Sequence, residues 1–233
     1  MQNKELIGII GAMQVETEGL VAEMTEKKTD TVSGVKFTSG KLCGRDVVVA
    51  TCGVGKVFAA ICAEAMILKF GVTALLNTGV AGGLLPELEI GDVALADKVV
   101  QHDMNTTALG DPQGLLSGIN IVEIGTSEKL LKPLCEATAE LDFNGAVGTI
   151  ASGDLFVAKK QTKERIVKQF GAIACEMEGG AIAHVCDVAG VKCAVIRAIS
   201  DNADDESHMD YGQFVQMAAK RSIEVLLKLL TVY

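Results

Sequence analysis

Cationic side chains are scarce in this sequence. The 233 residues include 21 lysines and arginines against 30 aspartates and glutamates, which gives a formal charge of −9 at pH 7. A field of that sign repels polyphosphates and anionic lipid surfaces. We therefore expect the protein to bind neither nucleic acid nor a membrane surface.

Long apolar runs and paired cysteines are also missing. No apolar run approaches the roughly 18 residues that a membrane span needs. The first such run, residues 6–13, has no strongly basic leader and is followed at once by Glu16 and Glu18, which is typical of a buried strand rather than a secretory signal. The seven cysteines never form a C-x-x-C pair, and the three histidines share no metal-ligand spacing. We expect a protein of the reducing cytoplasm that holds no metal and no cofactor.

Two common nucleotide-binding motifs are absent as well. Segment 53–57 (GVGKV) lacks the upstream glycine of a P-loop, and Lys56 is not followed by the serine or threonine that would hold magnesium. The segment continues into Phe58, where a dinucleotide-binding fingerprint would need its third glycine. Neither a P-loop kinase nor a dehydrogenase is expected.

What the chain does contain is an alternation of short apolar runs with longer segments of helical periodicity. This pattern favours a largely parallel sheet flanked by helices. We predict one domain over residues 1–233, an α/β fold of three layers (α/β/α) around a central mixed, largely parallel sheet. The predicted strands are 6–10, 35–41, 46–51, 74–77, 92–99, 146–151, 172–175 and 192–199. The predicted helices are 15–24, 57–70, 127–141, 159–170, 179–189 and 211–230. An antiparallel hairpin is expected to turn at 42–45, and a long loop is expected over 102–120.

Several predicted strands end in glycine or in an acidic residue. Because parallel strands present their carboxyl ends at one edge of an open sheet, these segments should converge where ligands usually bind. An ionisable group beside an apolar run must be paired, solvated in a cleft or shifted in pKa. Glu16, Glu176, Glu178 and Asp201 stand in such positions. Taken singly, each could also be a helix cap, a helix N-terminal charge or an ion-pair partner.

Five ordered motifs together resemble the 5'-methylthioadenosine/S-adenosylhomocysteine nucleosidases of the purine nucleoside phosphorylase superfamily. The resemblance runs from residue 6 to about residue 228. The motifs are 8–13 (GIIGAM) with Glu16, 77–83 (NTGVAGG), 152–154 (SGD) with Phe156, 176–178 (EME) and 197–201 (RAISD). The resemblance implies a nucleoside phosphorylase-like fold and hydrolysis of the adenine–ribose bond of the two named nucleosides, with 5'-deoxyadenosine as a further candidate.

The resemblance also implies a role for each matching residue. Adenine leaves poorly as an anion, so a general acid must protonate its N7, and this acid is Asp201 by position. Glu16 would activate the water that attacks the oxocarbenium-like sugar, with Arg197 beside it. Glu178 would bind the ribose hydroxyls and Phe156 would stack on the purine. The other implied substrate-binding residues are Met13, Val54, Val80, Val157, Glu176, Met177, Ser200, Tyr211 and Leu109.

The family resemblance further implies a homodimer in which the 102–118 loop lies near the partner's site. In that loop, Leu109 and Asp111 replace aromatic residues of better-known members, and Val80 stands where many members have serine. Leu109 keeps an apolar wall, whereas Asp111 puts the preferred 5'-substituent in doubt. The sequence does not rank methylthioadenosine, adenosylhomocysteine, 5'-deoxyadenosine and a 6-amino-deoxyfutalosine-like nucleoside as substrates. The departures do not touch the three acids at positions 16, 178 and 201.

Two other functions stay open on the sequence. A nucleoside phosphorylase on the same scaffold would need arginines for its phosphate, but the chain has only four, and its first loop offers Gln14, Val15 and Glu16 instead. A nucleoside-binding protein without chemistry is the second alternative. Retention of all three matching acids argues against it.

Overall fold

The computed structural model describes residues 5–233, which form a mixed sheet and six α-helices. The strands are β1 (Ile7–Gly11), β2 (Thr25–Val32), β3 (Val35–Leu42), β4 (Arg45–Thr51), β5 (Ala74–Gly83), β6 (Val93–Gln101), β7 (Glu123–Gly125), β8 (Gly145–Ser152), β9 (Ala174–Glu176) and β10 (Lys192–Asp201). The helices are α1 (Glu18–Glu23), α2 (Lys56–Ala65), α3 (Glu128–Ala139), α4 (Lys160–Phe170), α5 (Gly179–Ala189) and α6 (Ser207–Val232). A 3-10 turn (Gln14–Glu16) precedes α1, and a π-helical turn (Met66–Phe70) extends α2.

Strands β2 and β7 are additions to the predicted set. β2 has the sequence TEKKTDTV and is exposed along most of its length. It therefore lacks the alternation of apolar and polar residues by which a strand is predicted. It is recruited by antiparallel pairing with β3. β7 is only three residues long. β5 also continues well past the predicted end at Asn77, through glycines that interrupt its apolar run.

The mixed sheet is confirmed, with parallel pairs at its centre. β1 runs parallel to β4 and β5, β5 to β10, and β8 to both β6 and β9. The predicted hairpin is the antiparallel pair β3–β4, which turns at Cys43 and Gly44, both with positive φ. β5, β10, β6, β8 and β9 pair in a closed ring, so this part of the sheet curls into a small barrel. Apolar periodicity could not predict that closure, because it reports the buried face and not the pairing partner.

Alternate residues of the central strands enter two apolar layers. Ile10 and Leu75 pack on the side covered by α2 and α5. Ile9 and Leu76 pack on the opposite side, covered by α1, α3 and α6. This period of two is the strand geometry that places successive side chains on opposite faces, and it confirms the three-layer α/β/α arrangement. No helix within residues 5–233 combines the length and apolar character that crossing a bilayer would take.

Candidate active site

Glu16, Glu178 and Asp201 come from three separate parts of the chain and lie near the carboxyl end of β5. Glu16 and Asp201 approach two glycines of that strand, and Glu178 lies 3.9 Å from Arg197 of the neighbouring β10. Burial raises the pKa of the Tyr211 hydroxyl, and the negative charges of Glu16, Asp201 and Glu178 raise it further. This pKa shift agrees with the placement of the acids, since Coulomb interactions weaken with distance. The structure thus brings the three predicted acids together.

Glu16 is held by the backbone that follows β1. Its Oε2 accepts hydrogen bonds from the N–H groups of Ala12 (2.7 Å) and Met13 (2.9 Å), and its Oε1 accepts one from Val80 (3.1 Å). Burial raises the pKa of Glu16, and the charge of Arg197 and these hydrogen bonds offset only part of that rise. A rigidly placed carboxylate with raised basicity suits a general base.

Two glycines of β5 make room for the acids on either side of that strand. A Cβ atom on Gly79 would lie 2.5 Å from Glu16 Oε1, and one on Gly82 would lie 3.0 Å from Asp201 Oδ1. Each distance is shorter than a normal van der Waals contact, so a larger residue would displace the carboxylate. The 77–83 motif therefore lets one strand approach both acids closely.

Asp201 ends β10, at a point where the pairing with β5 slips. Its Oδ1 accepts a hydrogen bond from the Ala203 N–H (2.9 Å), and the Ser200 hydroxyl lies 2.9 Å from its Oδ2 and 3.3 Å from the Ala81 carbonyl oxygen. Burial raises the pKa of Asp201, and the charge of Asp210 adds to the rise. A raised pKa favours the protonated carboxyl that a general acid must offer.

Glu176 is completely occupied by protein donors. Its carboxylate accepts hydrogen bonds from the Ser152 hydroxyl, the Arg197 guanidinium and the N–H groups of Glu178 (2.9 Å) and Gly179 (2.7 Å). Burial alone would raise its pKa, but the charge of Arg197 and these hydrogen bonds outweigh burial and lower it. Glu176 is therefore a fixed anion at the start of α5.

Glu178, two residues further on, has a different environment. Its Oε1 accepts one hydrogen bond from the Gly55 N–H (2.8 Å), and its Oε2 lies 3.9 Å from Arg197 Nη2, beyond hydrogen-bond distance. Burial and the neighbouring charge of Glu176 raise its pKa to about 7. Glu178 thus retains acceptor capacity for a ligand hydroxyl.

Arg197 supplies the positive charge at the centre of these acids. It is 1% exposed, and its guanidinium donates to the Asn77 carbonyl oxygen (3.3 Å), to Asn77 Oδ1 (2.5 Å) and to Glu176. Its charge lowers the pKa of Glu16, Glu176 and Glu178 alike. One immobile cation therefore compensates a group of buried carboxylates that would otherwise repel one another.

A group of apolar and aromatic side chains adjoins Glu16 through Met13, whose N–H binds the Glu16 carboxylate. The Tyr211 hydroxyl lies 3.0 Å from Met13 Sδ, and the rings of Tyr211 and Phe156 meet edge to face at 5.6 Å. Phe156 is 43% exposed, which leaves a ring face open for stacking, whereas the following Val157 is buried. Met13, Phe156 and Tyr211, three of the predicted substrate-binding residues, thus lie in one group.

The remaining predicted residues differ in burial. Val80, whose N–H binds Glu16, and Met177, which precedes Glu178 in the chain, are half-buried, and Val54 is half-exposed. Leu109 is 82% exposed in the long loop. A side chain so exposed does not close a pocket within its own chain. Among residues 5–233, no three His, Cys, Asp or Glu side chains gather closely enough to hold a metal ion.

The sequence did not lead us to predict Asn77 and Ser152 as residues of the site. Asn77 anchors Arg197 and donates from Nδ2 to the Ile10 carbonyl oxygen (3.0 Å). The Ser152 hydroxyl joins Glu176 to the Gly180 N–H (2.6 Å). Both side chains are polar groups at the ends of apolar runs, which is the signal that singled out the acids.

Comparison with known proteins shows similarity over nearly the whole chain. The model of the phosphorylase superfamily matches residues 6–231. The chain is 40% identical over 96% of its length to aminodeoxyfutalosine nucleosidase of Campylobacter jejuni, covering 97% of that protein. It is 39% identical over 96% of its length to 5'-methylthioadenosine/S-adenosylhomocysteine nucleosidase of Geobacillus thermodenitrificans, covering 95% of it. The Helicobacter pylori nucleosidase crystallised with butyl-thio-DADMe-Immucillin-A superposes with a TM-score of 0.95 at 36% identity, over 100% of both chains.

Proposed function

The chain belongs to the phosphorylase superfamily and, within it, to the 5'-methylthioadenosine/S-adenosylhomocysteine nucleosidases, and on this basis we propose that it hydrolyses the N-glycosidic bond of both nucleosides. The products are adenine and the 5-substituted ribose. The observation that supports this most is the approach of Glu16 and Asp201 to two glycines of β5, with Glu178 3.9 Å from Arg197 of the adjoining β10.

In the proposed reaction, Asp201 donates its proton to N7 of adenine while the bond between C1' and N9 breaks. The electron pair of that bond stays with the base, which departs neutral because N7 has been protonated. The raised pKa of Asp201, caused mainly by burial, supports this role. Phe156 would stack on the purine, and the backbone of Val157 would read its edge.

Glu16 is proposed to accept a proton from the attacking water as its oxygen bonds to C1'. The ribose carries oxocarbenium character at that stage, and the nearby carboxylates stabilise it electrostatically. Arg197 would hold this group of acids in place. Glu178 is proposed to accept hydrogen bonds from the ribose diol, because its Oε2 is not consumed by a protein donor. Glu176, whose oxygens are consumed, would act through Arg197 and Glu178 and not by touching the nucleoside.

Water is favoured over phosphate as the nucleophile. Arg45 donates to the Leu230 carbonyl oxygen and Arg221 to that of Gly91, and neither bond involves the acids of the cleft. Arg197 is already paired with Glu176. With Arg45, Arg197 and Arg221 committed in this way, a phosphate dianion would meet the negative charges of Glu16 and Glu178, and none of these three arginines is free to offset them.

A product assay tests the proposed activity. Purified enzyme given 5'-methylthioadenosine should release adenine and 5-methylthioribose at the same rate with and without inorganic phosphate. Chromatography of the sugar identifies the product. Phosphate-dependent release with formation of a ribose 1-phosphate would make the protein a phosphorylase, and binding without turnover would make it a nucleoside-binding protein.

A 6-amino-deoxyfutalosine-type nucleoside is the second candidate substrate. The C. jejuni and G. thermodenitrificans relatives carry different activities in their names at nearly equal identity to this chain. The residues assigned above act on adenine, on ribose and on the attacking water. The candidate nucleosides share the adenine and the ribose, so these residues do not distinguish between them. The same assay, run on methylthioadenosine, adenosylhomocysteine, 5'-deoxyadenosine and aminodeoxyfutalosine, ranks the 5'-substituents.

We also propose that a second copy of this chain covers the groove between α2 and α5. Val57, Leu68 and Val188 line this groove of about 850 Å³, and each is at least two-thirds exposed. The Lys56–Asp103 ion pair (2.7 Å) ties the base of the 102–118 loop to the same face. Apolar patches of this kind are typical of protein interfaces. In such a homodimer the exposed Leu109 would reach the partner's site.

The dimer is tested by mass. Light scattering should give about twice the 24.4 kDa of one chain. Val57→Asp combined with Leu68→Asp should yield monomer, because the two charges would be desolvated at the interface. Val232→Asp, an exposed apolar residue at the end of α6, is the matched control and should stay dimeric. A wild-type monomer would contradict the proposal. We also propose that the protein works in the reducing cytoplasm, as the spacing of its seven cysteines, which offers no disulfide framework, led us to expect.

A further inference from the structure

Lys163 of α4 connects the segment after the proposed general acid to the end of β5. Its Nζ donates hydrogen bonds to the carbonyl oxygens of Asn202 (2.7 Å) and Gly83 (3.0 Å). Asn202 directly follows Asp201, and the last β5–β10 pair joins Asp201 to Gly82. The lysine therefore bridges the two strands at the point where their own pairing ends.

The segment that Lys163 holds has an unusual backbone. Ala203 is fully buried and has a φ of 52°, in the left-handed region that alanine seldom adopts. Its N–H nonetheless provides a hydrogen bond to Asp201 Oδ1. A strained conformation of this kind persists only where its surroundings hold it. The position of the Asp201 carboxyl thus depends on a segment that needs support.

The same segment packs against the part of the chain proposed to read the purine. Val157, Ile166 of α4, Cys175 and Ala203 belong to one apolar cluster. Burial raises the pKa of the Cys175 thiol, the charge of Asp201 raises it further, and the charge of Lys163 lowers it. The Lys163 ammonium and the Asp201 carboxylate therefore both influence the buried Cys175 thiol, and Val157 packs in the same cluster.

We propose that Lys163 is a positioning residue for proton transfer from Asp201 to the purine. By holding the carbonyl oxygens of Asn202 and Gly83, it sets the distance between the Asp201 carboxyl and a base bound at Phe156 and Val157. This inference rests on the proposed nucleosidase function. It assigns Lys163 no contact with the nucleoside, since both of its hydrogen bonds end on backbone oxygens.

Two substrates that differ in leaving group test the role. Adenine must be protonated to leave, whereas the 4-nitrophenolate of a 4-nitrophenyl 5-methylthioriboside leaves as an anion. Lys163→Met keeps the apolar stem and removes the donors. We expect it to lower kcat for methylthioadenosine by about 10- to 100-fold, with KM little changed and nitrophenolate release close to that of the wild type. Lys163→Arg should restore most of kcat, and Lys160→Met, exposed on the same helix, should behave as the wild type.

Either of two results would overturn the positioning role. One is an unchanged kcat for methylthioadenosine in Lys163→Met, and the other is an equal loss with both substrates in a variant that circular dichroism shows to be folded. Should Lys163→Met fail to fold, Lys163→Gln, which keeps a donor but not the charge or the reach, is judged by the same two criteria. A wild-type enzyme that releases no adenine would instead refute the nucleosidase function, which separates the two failures.

Discussion

Replacement of Asp201 by asparagine is expected to reduce adenine release from methylthioadenosine by about 10²- to 10⁴-fold, the usual contribution of a general acid. The amide can still accept the Ala203 N–H hydrogen bond, so the local geometry should survive. Nucleoside binding should change little, because the diol and the purine face are proposed to be recognised elsewhere. Steady-state kinetics and equilibrium dialysis measure the two effects separately.

The leaving group and the pH supply the controls for Asp201→Asn. Release of 4-nitrophenolate should be nearly normal in this variant, since that group needs no proton. In the wild type, kcat for adenine release should fall as pH rises through the pKa of Asp201, which burial has raised. The variant should lack that limb of the profile. Asp205→Asn, exposed in the same segment, should keep full activity. Normal adenine release in Asp201→Asn would remove the general-acid assignment.

Glu16→Gln is expected to be as damaging, about 10²- to 10⁴-fold, but with a different signature. A glutamine amide cannot take a proton from water, so both adenine and 4-nitrophenolate release should fail. The glutamine NH₂ group would also replace one of the two oxygens that accept hydrogen bonds. It would then face a backbone N–H, either that of Val80 or those of Ala12 and Met13, and two donors cannot bond to each other. An unsatisfied buried donor costs about 1–3 kcal/mol, so the melting temperature should drop as well.

Glu18→Gln is the matched control for Glu16→Gln, because Glu18 is exposed two residues further along the chain. It should keep both activities and the wild-type melting temperature. The two main variants together then separate protonation of the leaving group from activation of water. The loss of activity in Asp201→Asn should depend on the leaving group, and the loss in Glu16→Gln should not. Wild-type nitrophenolate release by Glu16→Gln would rule out its role in activating water.

Much of the fold was accessible from local pattern. β4 and α5 were predicted nearly to the residue because their apolar periodicity is strong and their ends carry turn or glycine signals. β2 was missed because an exposed edge strand has no buried face. Closure of the sheet into a ring depends on which strands become neighbours, and that information is not local.

The candidate site was likewise only partly predictable from local sequence. Glu176 and Glu178 look equivalent in the sequence, since both are acids at the mouth of one helix. In the folded protein Glu176 has a lowered pKa, and Glu178 a pKa of about 7. Arg197 and three further donors bind Glu176 directly, whereas Glu178 stays 3.9 Å from Arg197, and burial and the charge of Glu176 raise its pKa. Exposed lysines and Lys163 are likewise indistinguishable in sequence, although Lys163 alone reaches the Asn202 and Gly83 carbonyl oxygens among the described residues.

By itself, the sequence determined which residues are acidic at the ends of apolar strands, which glycines accompany them, and that no phosphate-binding motif competes with them. These properties are local, since side-chain type and periodicity are carried by neighbours in the chain. Only the tertiary structure decided which acids share one cation, which carboxylate oxygens remain open to a ligand and which lysine supports the acid. Those outcomes depend on distances between strands far apart in the chain and on the exclusion of water, which together set the strength of every charge interaction in the cleft.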